Sequence, residues 1–334
     1  MKKINGASRV LLATLLCAAA SATYAQAKAS NEAGAESFPS RPIRIVVPFT
    51  PGAFNDTFAR ATGQHLSEAL KQPVIIENRA GAGAVIGTDV VAKAAPDGYT
   101  ILQVPANHSI NTTLHRKLPY HPAKDFTFLT LAATSPFVLV VNPNLPATSV
   151  KELIALAKAN PGKYTYASTG SGGNAHLMGE MLKTMAKIDL LHVPYKGASP
   201  ALTDVVGGQV DMIFMSYAGA ASAVKSGRVR AIGVTSKERW SVLPDLPTID
   251  ESGVPGYEAI AWWGFAAPAG MPPAIAQKLQ NELNKVARSE PMRAQFEPEG
   301  LAMLSTTQEE FAQFVEADTQ KWAKIIKESG IVSD

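Results

Sequence analysis

Short β-branched runs alternate with amphipathic stretches along this chain, and each run stops at a proline or glycine. Ile43, Ile45, Val46 and Val47 stand between Pro42 and Pro48, the continuous apolar pattern of a strand buried on both faces. Over 56–70, Phe58, Thr62, Leu66 and Leu70 fall on one face of a helix. A strand over 74–76, a glycine-rich turn over 81–87, a helix ending near Ala95, a Pro96-Asp97-Gly98 turn and a strand over 99–104 follow. Strands alternating with helices at this spacing predict an α/β fold on a mostly parallel sheet with right-handed crossovers.

The rhythm then restarts. Helices are expected over 150–159, 174–185 and 200–206, and strands over 164–168, 190–193, 210–215 and 229–235. At roughly 100–200 residues per domain, 334 residues suffice for two such units. From about Trp262 the chain turns Ala- and Pro-rich and then amphipathic. The last helix is expected to open on Thr306-x-x-Glu309 as a capping box and to stop at Gly330, with Phe311, Phe314, Val315, Trp322, Ile325 and Ile326 on one face. These terminal helices need a sheet to cover. The expectation is a discontinuous first lobe of 39–140 and 260–334, a second lobe of 141–259, and a ligand cleft between them.

Lys2, Lys3 and Arg9 precede an apolar run over 10–20 and small residues up to Ala25. This reads as a secretory signal peptide over 1–25, followed by a flexible leader over 26–38. Cys17 suggests no lipid anchor, because Leu16 stands where a small residue is required. Cleavage would remove three of 31 basic residues and no acidic one, leaving 28 basic against 28 acidic residues and no cysteine. A net charge of zero argues against nucleic acid as a partner. The absence of another long apolar run argues against direct membrane insertion.

Two loops carry the candidate chemistry. The first, with Thr50, Gly52, Ala53, Phe54, Asn55 and Asp56, joins the first strand to a helix. The second, with Ser168, Thr169, Gly170, Ser171, Gly172, Gly173, Asn174 and His176, does the same later in the chain. Such loops leave backbone N–H groups aimed out of a helix N-terminus, where the dipole favours an anion. Tyr195, Lys196 and Ser216 follow strand ends and face the same way, since ligands of open α/β sheets bind beyond the carboxyl ends of strands.

Rival chemistries fit less well. Gly170-x-Gly172-x-x-Ala175 matches a dinucleotide fingerprint, but no carboxylate closes the next strand, so no cofactor is expected. No serine sits on a nucleophile elbow. A secreted hydrolase using Ser171 with His176 stays a remote alternative, without an orienting acid. His65, His108, His115, His121, His176 and His192 are scattered, so no metal is expected. Trp262 and Trp263 read as packing where the chain returns to the first lobe.

Several stretches, taken in order, carry a resemblance. They are Pro42-Ile43-Arg44-Ile45-Val46-Val47-Pro48-Phe49, Glu77-Asn78-Arg79-Ala80-Gly81-Ala82-Gly83, Pro96-Asp97-Gly98-Tyr99-Thr100, Tyr166-Ala167-Ser168 with its glycine-rich sequel and His176, Val193-Pro194-Tyr195-Lys196-Gly197, Leu246-Pro247-Thr248 and Ala267-Pro268-Ala269-Gly270. With them the chain resembles the extracytoplasmic solute receptors of tripartite tricarboxylate transporters, the Bug-type (TctC-like) family, over nearly all its length after the leader. The resemblance implies a two-lobe, type 2-like periplasmic-binding-protein fold in the periplasm and a membrane permease as partner. It also implies a small organic carboxylate as ligand: a dicarboxylate, a tricarboxylate, an acidic amino acid or an aromatic acid. Gly52 to Asp56 and Ser168 to Asn174 would face each other across the cleft and hold it through backbone N–H groups and water. Ala53-Phe54 departs from the family, which usually has a second glycine there, and implies a narrowed or reshaped pocket. A ligand-presenting sensor or adaptor for a membrane signalling protein is the alternative.

Overall fold

The structure, a computed structural model, describes residues 37–331 apart from Ala53 and Arg116. The expected signal peptide and most of the expected leader lie outside the described residues. β1 (Ile43–Val47), β2 (Val74–Asn78) and β3 (Thr100–Pro105) run parallel, joined by α1 (Phe54–Leu70) and α2 (Val85–Ala92). α3 (Asn107–Leu114) leads into a long strand, β4 (Phe126–Val141). The second series is α4 (Val150–Ala159), β5 (Thr165–Ser168), α5 (Asn174–Ala186), β6 (Leu191–Pro194), α6 (Ala198–Val206), β7 (Met212–Ser216), α7 (Tyr217–Lys225) and β8 (Arg230–Val234). The chain closes with β9 (Ile260–Pro268), α8 (Pro273–Ala287), α9 (Glu290–Phe296), β10 (Ala302–Met303) and α10 (Gln308–Ser329).

The strands order as β2-β1-β3-β9-β4-β7-β5-β6, with β8 and β10 also on β4. Phe126 to Pro136 of β4 pair with β9, whereas Phe137 to Val141 pair with β7. One strand thus belongs to two sheets, and Pro136 stands at the change of partner. A residue without an N–H is tolerated where the ladder is interrupted. Register shifts between Phe128 and Thr130, between Leu131 and Ala133, and between Leu139 and Val140 bend the strand. The chain returns through Ala259, whose N–H donates to Thr235 O at 2.9 Å just before β9. Apolar clusters cover both faces of each sheet. Ile45, Phe58 and Phe265 lie on one face of the first and Leu102, Trp262 and Phe311 on the other. Tyr166 and Phe214 lie on one face of the second, and Ile213 and Met215 on the other.

Three expectations need correction. Phe38 is not part of a flexible leader: it is buried and packs edge-on against Tyr99, ring centroids 5.0 Å apart, so the fold begins earlier in the chain. The capping box of α10 uses Thr307 and Glu310, one residue later than expected. Thr306 is committed to the sheet, its Oγ1 accepting the Leu131 N–H at 2.9 Å. Finally, α10 does not serve the first half alone. Phe311 and Val315 pack with Trp262 and Phe128, while Trp322, Ile325 and Ile326 enter the core of the second half with Met178 and Leu182. Asp318, buried between these stretches, accepts from Trp262 Nε1 at 3.0 Å.

Candidate functional site

Three helices begin where β5, β6 and β7 end. α5 follows Ser168 to Gly173, α6 follows Gly197, and α7 follows Ser216. α3 begins the same way after β3 in the first half. The residues preceding these four helices are Gly173, Gly197, Ser216 and Ala106, and none supplies a side-chain cap. The first N–H groups of a helix have no partner inside it, and the dipole adds about half a positive charge there. α3, α5, α6 and α7 meet around a cavity of about 380 Å³, lined by Asn107, Thr169, Gly173 to Ala175, Ala198, Ser216 and Gly219. Phe137, Phe214 and Met215 form its apolar wall. Among the described residues that line it, none carries a charged side chain.

The loop at this cavity is built on glycine. Gly170 and Gly172 have φ of 132° and 76°, conformations that a Cβ disfavours. Each end of the loop is tied to an imidazole. Ser168 Oγ accepts the Gly170 N–H at 3.2 Å and shares a 2.6 Å hydrogen bond with His192 Nε2. The Gly172 N–H donates to His176 Nδ1 at 2.9 Å. The two imidazoles stack with centroids 3.9 Å apart and planes within 8°. The Tyr166 ring continues the stack at 5.0 Å from His192. It lies so close to α5 that a Cβ at Gly179 would overlap it. Tyr166 Oη donates to Glu180 Oε1 at 2.6 Å, which also takes Lys183 Nζ at 2.9 Å. Burial pushes His176 below its ordinary value, and burial followed by the neighbouring His176 brings His192 down to about 4. Burial, followed by the Glu180 carboxylate, raises the Tyr166 hydroxyl.

These contacts sort the residues of the second loop. Ser168 and His176 are buried beneath it and fold it, whereas Thr169 and Ser171 are exposed. The remote hydrolase pairing is not the one formed. His176 Nδ1 is occupied by the Gly172 N–H, and the serine that meets a histidine is Ser168, which has no exposed surface. Tyr195 turns into the fold, donating to Asp204 Oδ2 at 2.7 Å; burial, then Asp204, pushes its hydroxyl up to about 12. Lys196 is exposed on the loop after β6.

The first loop is tied differently. Gly52, at φ 82°, donates its N–H to Asp56 Oδ2 at 2.9 Å. Arg60 Nε meets the same oxygen at 2.9 Å, and Asn78 Nδ2 meets Oδ1 at 2.9 Å. Arg60, aided by Gly52 and Asn78, holds the Asp56 carboxyl down at about 2 against the opposing effect of burial. Asp56 is only 4% exposed and staples the loop from below. Asn55 Oδ1 accepts from Trp263 Nε1 at 2.8 Å and Gln103 Nε2 at 3.4 Å. The departure at Phe54 has a different outcome from the one expected. Its ring packs against Trp263, Phe58 and Phe296 at 4.6, 6.1 and 6.0 Å, because an aromatic cluster is available behind the loop.

Thr50 and Gly52 are exposed, yet no described residue of 50–56 lines the cavity. The first half reaches it through Asn107, and α3 also touches the second loop: a Cβ on Gly172 would lie 3.1 Å from Leu114. Asn107, Ala198 and Gly219 were not legible as site residues. The available signal was position, since each opens a helix after a strand end.

Two α/β halves sharing a long strand, with a cavity at strand ends ringed by helix N-termini, define a periplasmic-binding-protein architecture. Residues 58–331 match the tripartite tricarboxylate transporter family receptor model. The chain belongs to this family of solute receptors. It is 36% identical over 300 residues to the protein BugT of Bordetella pertussis, covering 89% of this chain and 91% of that one. Among solved structures, R. palustris Rpa4515 with adipate aligns with a TM-score of 0.74 at 34% identity, covering 88% of this chain and 99% of that one. MatC from Rhodopseudomonas palustris with bound malate aligns at 0.71 with 32% identity, covering 86% of this chain and all of the other. Among the described residues no helix is long and apolar enough to cross a membrane.

Proposed function

We propose that the protein is a periplasmic receptor that captures a small organic carboxylate in the cavity at the start of α5, α6 and α7. It would hand the ligand to the membrane permease subunits of a tripartite tricarboxylate-type transporter. The supporting observation is the ring of helix N-termini without side-chain caps around a cavity with no lining charge among the described residues. A helix N-terminus favours an anion by about 0.3–1 kcal/mol when exposed and up to ~2 when partly buried. Several together suit a carboxylate, and an empty cavity carries no unpaired buried cation. Thr169, Asn174 and Ser216 add polar side chains, and Phe137, Phe214 and Met215 suit an aliphatic chain. Relatives solved with adipate and malate agree with this chemistry.

Closure would bend β4 where it changes sheets at Pro136 and bring the exposed Thr50–Gly52 turn toward the bound ligand. The test is calorimetry with malate and adipate on the wild type and on Asn174→Asp. Aspartate at a helix N-terminus favours the helix but repels an anion. The reading expects binding by the wild type and at least about a tenfold loss, ~1.4 kcal/mol, in the variant. Equal affinity in a folded Asn174→Asp protein would remove the cavity from the account.

A further inference from the structure

His176 and His192 are more than filler beneath the glycine-rich loop. An imidazole nitrogen accepts a hydrogen bond only while it lacks a proton, and His176 Nδ1 accepts the Gly172 N–H at 2.9 Å. Protonation there would set N–H against N–H and break the tie one residue before Gly173, the cap position of α5. His192 holds the other end of the loop through Ser168, which in turn takes the Gly170 N–H. The two rings are parallel at 3.9 Å, so a charge on one opposes a charge on the other.

The titratable groups around the pair are Tyr166 on β5 and Glu180 and Lys183 on α5, while α3 presents the apolar Leu114 to Gly172. Glu180 favours protonation, but it is already bound to Tyr166 Oη and to Lys183. Burial and Lys183 oppose a charge on either ring. Resting on the receptor reading above, we propose that His176 is a positioning residue that holds the loop in its binding conformation only while its Nδ1 is unprotonated, with His192 stacked on it to disfavour a charge there. Carboxylate capture therefore weakens as His176 takes a proton, over and above any loss of charge from the ligand. A simple carboxylate has a pKa of about 4, but the second carboxyl of a diacid such as malate titrates near pH 5, so the ligand's own share of the pH dependence is read from the non-titrating His176→Asn variant.

The experiment follows malate affinity by calorimetry from pH 8 to pH 5. In parallel it follows the imidazole nitrogens and the Gly170 and Gly172 amides by NMR without ligand. The expected result is constant affinity above pH 7 and a fall toward pH 5 that tracks protonation of the His176 imidazole. The Gly172 amide should shift in step with His176. Two variants separate positioning from bulk. His176→Leu removes the acceptor and weakens binding at every pH. His176→Asn places a non-titrating oxygen where Nδ1 was; it should recover most of what the leucine variant loses and leave only the ligand's own pH dependence. Malate affinity that stays flat from pH 8 to pH 5 in the wild type, or a Gly172 amide indifferent to His176 titration, overturns the proposal. Should malate not bind at pH 7.5, the receptor reading fails for this ligand. The coupled or uncoupled titration of Gly172 then still decides whether the pair positions the loop.

Discussion

The loops after β1 and after β5 occupy equivalent places in two similar α/β units, yet they are held by different chemistry. The first is tied by a carboxylate that takes Gly52 N–H, Arg60 and Asn78 at once. The second is tied by neutral groups, a hydroxyl and two stacked imidazoles. An ion pair keeps its loop in one form over most of the pH scale, and its negative charge is spent on its own neighbours. Neutral acceptors place no charge beside the cavity and leave the first N–H groups of α5 without a side-chain cap. On the proposed reading the difference is functional: the first loop is held fixed by charge, and the second cradles an anion with a tie that protonation can release.

The largest expected effect breaks the charged tie of the first loop. Asp56→Ala strips three donors of their acceptor in a buried setting, and a hydrogen bond to a charged group contributes about 1.5–3 kcal/mol. Because Arg60 is half-exposed and rehydrates, a loss of about 2–3 kcal/mol is expected in urea unfolding, with the midpoint moving and the slope unchanged. Unchanged stability would mean that the carboxylate is incidental to the loop.

A second prediction separates the ties by pH, with amide exchange at Gly52 and Gly172 as local readouts. Burial makes both imidazoles harder to protonate in the folded chain than in the unfolded one. The stability they confer is complete above about 6.5 and drains away as pH falls; for His192 the window runs from 6.5 to about 4. The depressed Asp56 carboxyl contributes fully above 3.8 and is lost as pH falls through about 2. Gly172 should therefore lose protection first on acidification, with Gly52 holding until far lower pH. Loss in the opposite order, or in a single step, would refute the division.

Smaller effects are expected elsewhere. Phe54→Ala should destabilise by about 1–2 kcal/mol, less than a fully buried phenylalanine, because the ring packs on Trp263 and Phe296 but stays partly exposed. Thr307→Ala should cost about 1 kcal/mol through loss of the α10 cap, measured by thermal unfolding.

Both loops were legible in the sequence because each joins a strand-like run to a helix. In the second, Gly170 and Gly172 also mark conformations that other residues avoid. What holds the loops was not legible. The meeting of Ser168 with His192 depends on the parallel register that sets Tyr166 beside His192, a pairing between segments far apart in the chain. β4 was hidden by Pro136 and by a stretch of Ala132, Ala133, Thr134 and Ser135, which reads as neither a strand nor a clear turn. α3 was hidden for another reason. Asn107, His108, Ser109, Asn111, Thr112 and Thr113 are poor helix formers, and the helix exists because Ile110 and Leu114 pack into the core of the second half. That same helix supplies Asn107 to the cavity, so the missed element and the missed residue share a cause: tertiary packing overrode local preference.

The claim that carboxylate is held by helix N-termini is tested most directly by following backbone amide resonances during titration with malate at pH 7.5. The account predicts the largest shifts at Gly173 to Ala175, Ala198 and Ala218 to Gly219, the amides that open α5, α6 and α7. Saturating malate that leaves these amides unmoved, with shifts confined to other surfaces, would contradict it.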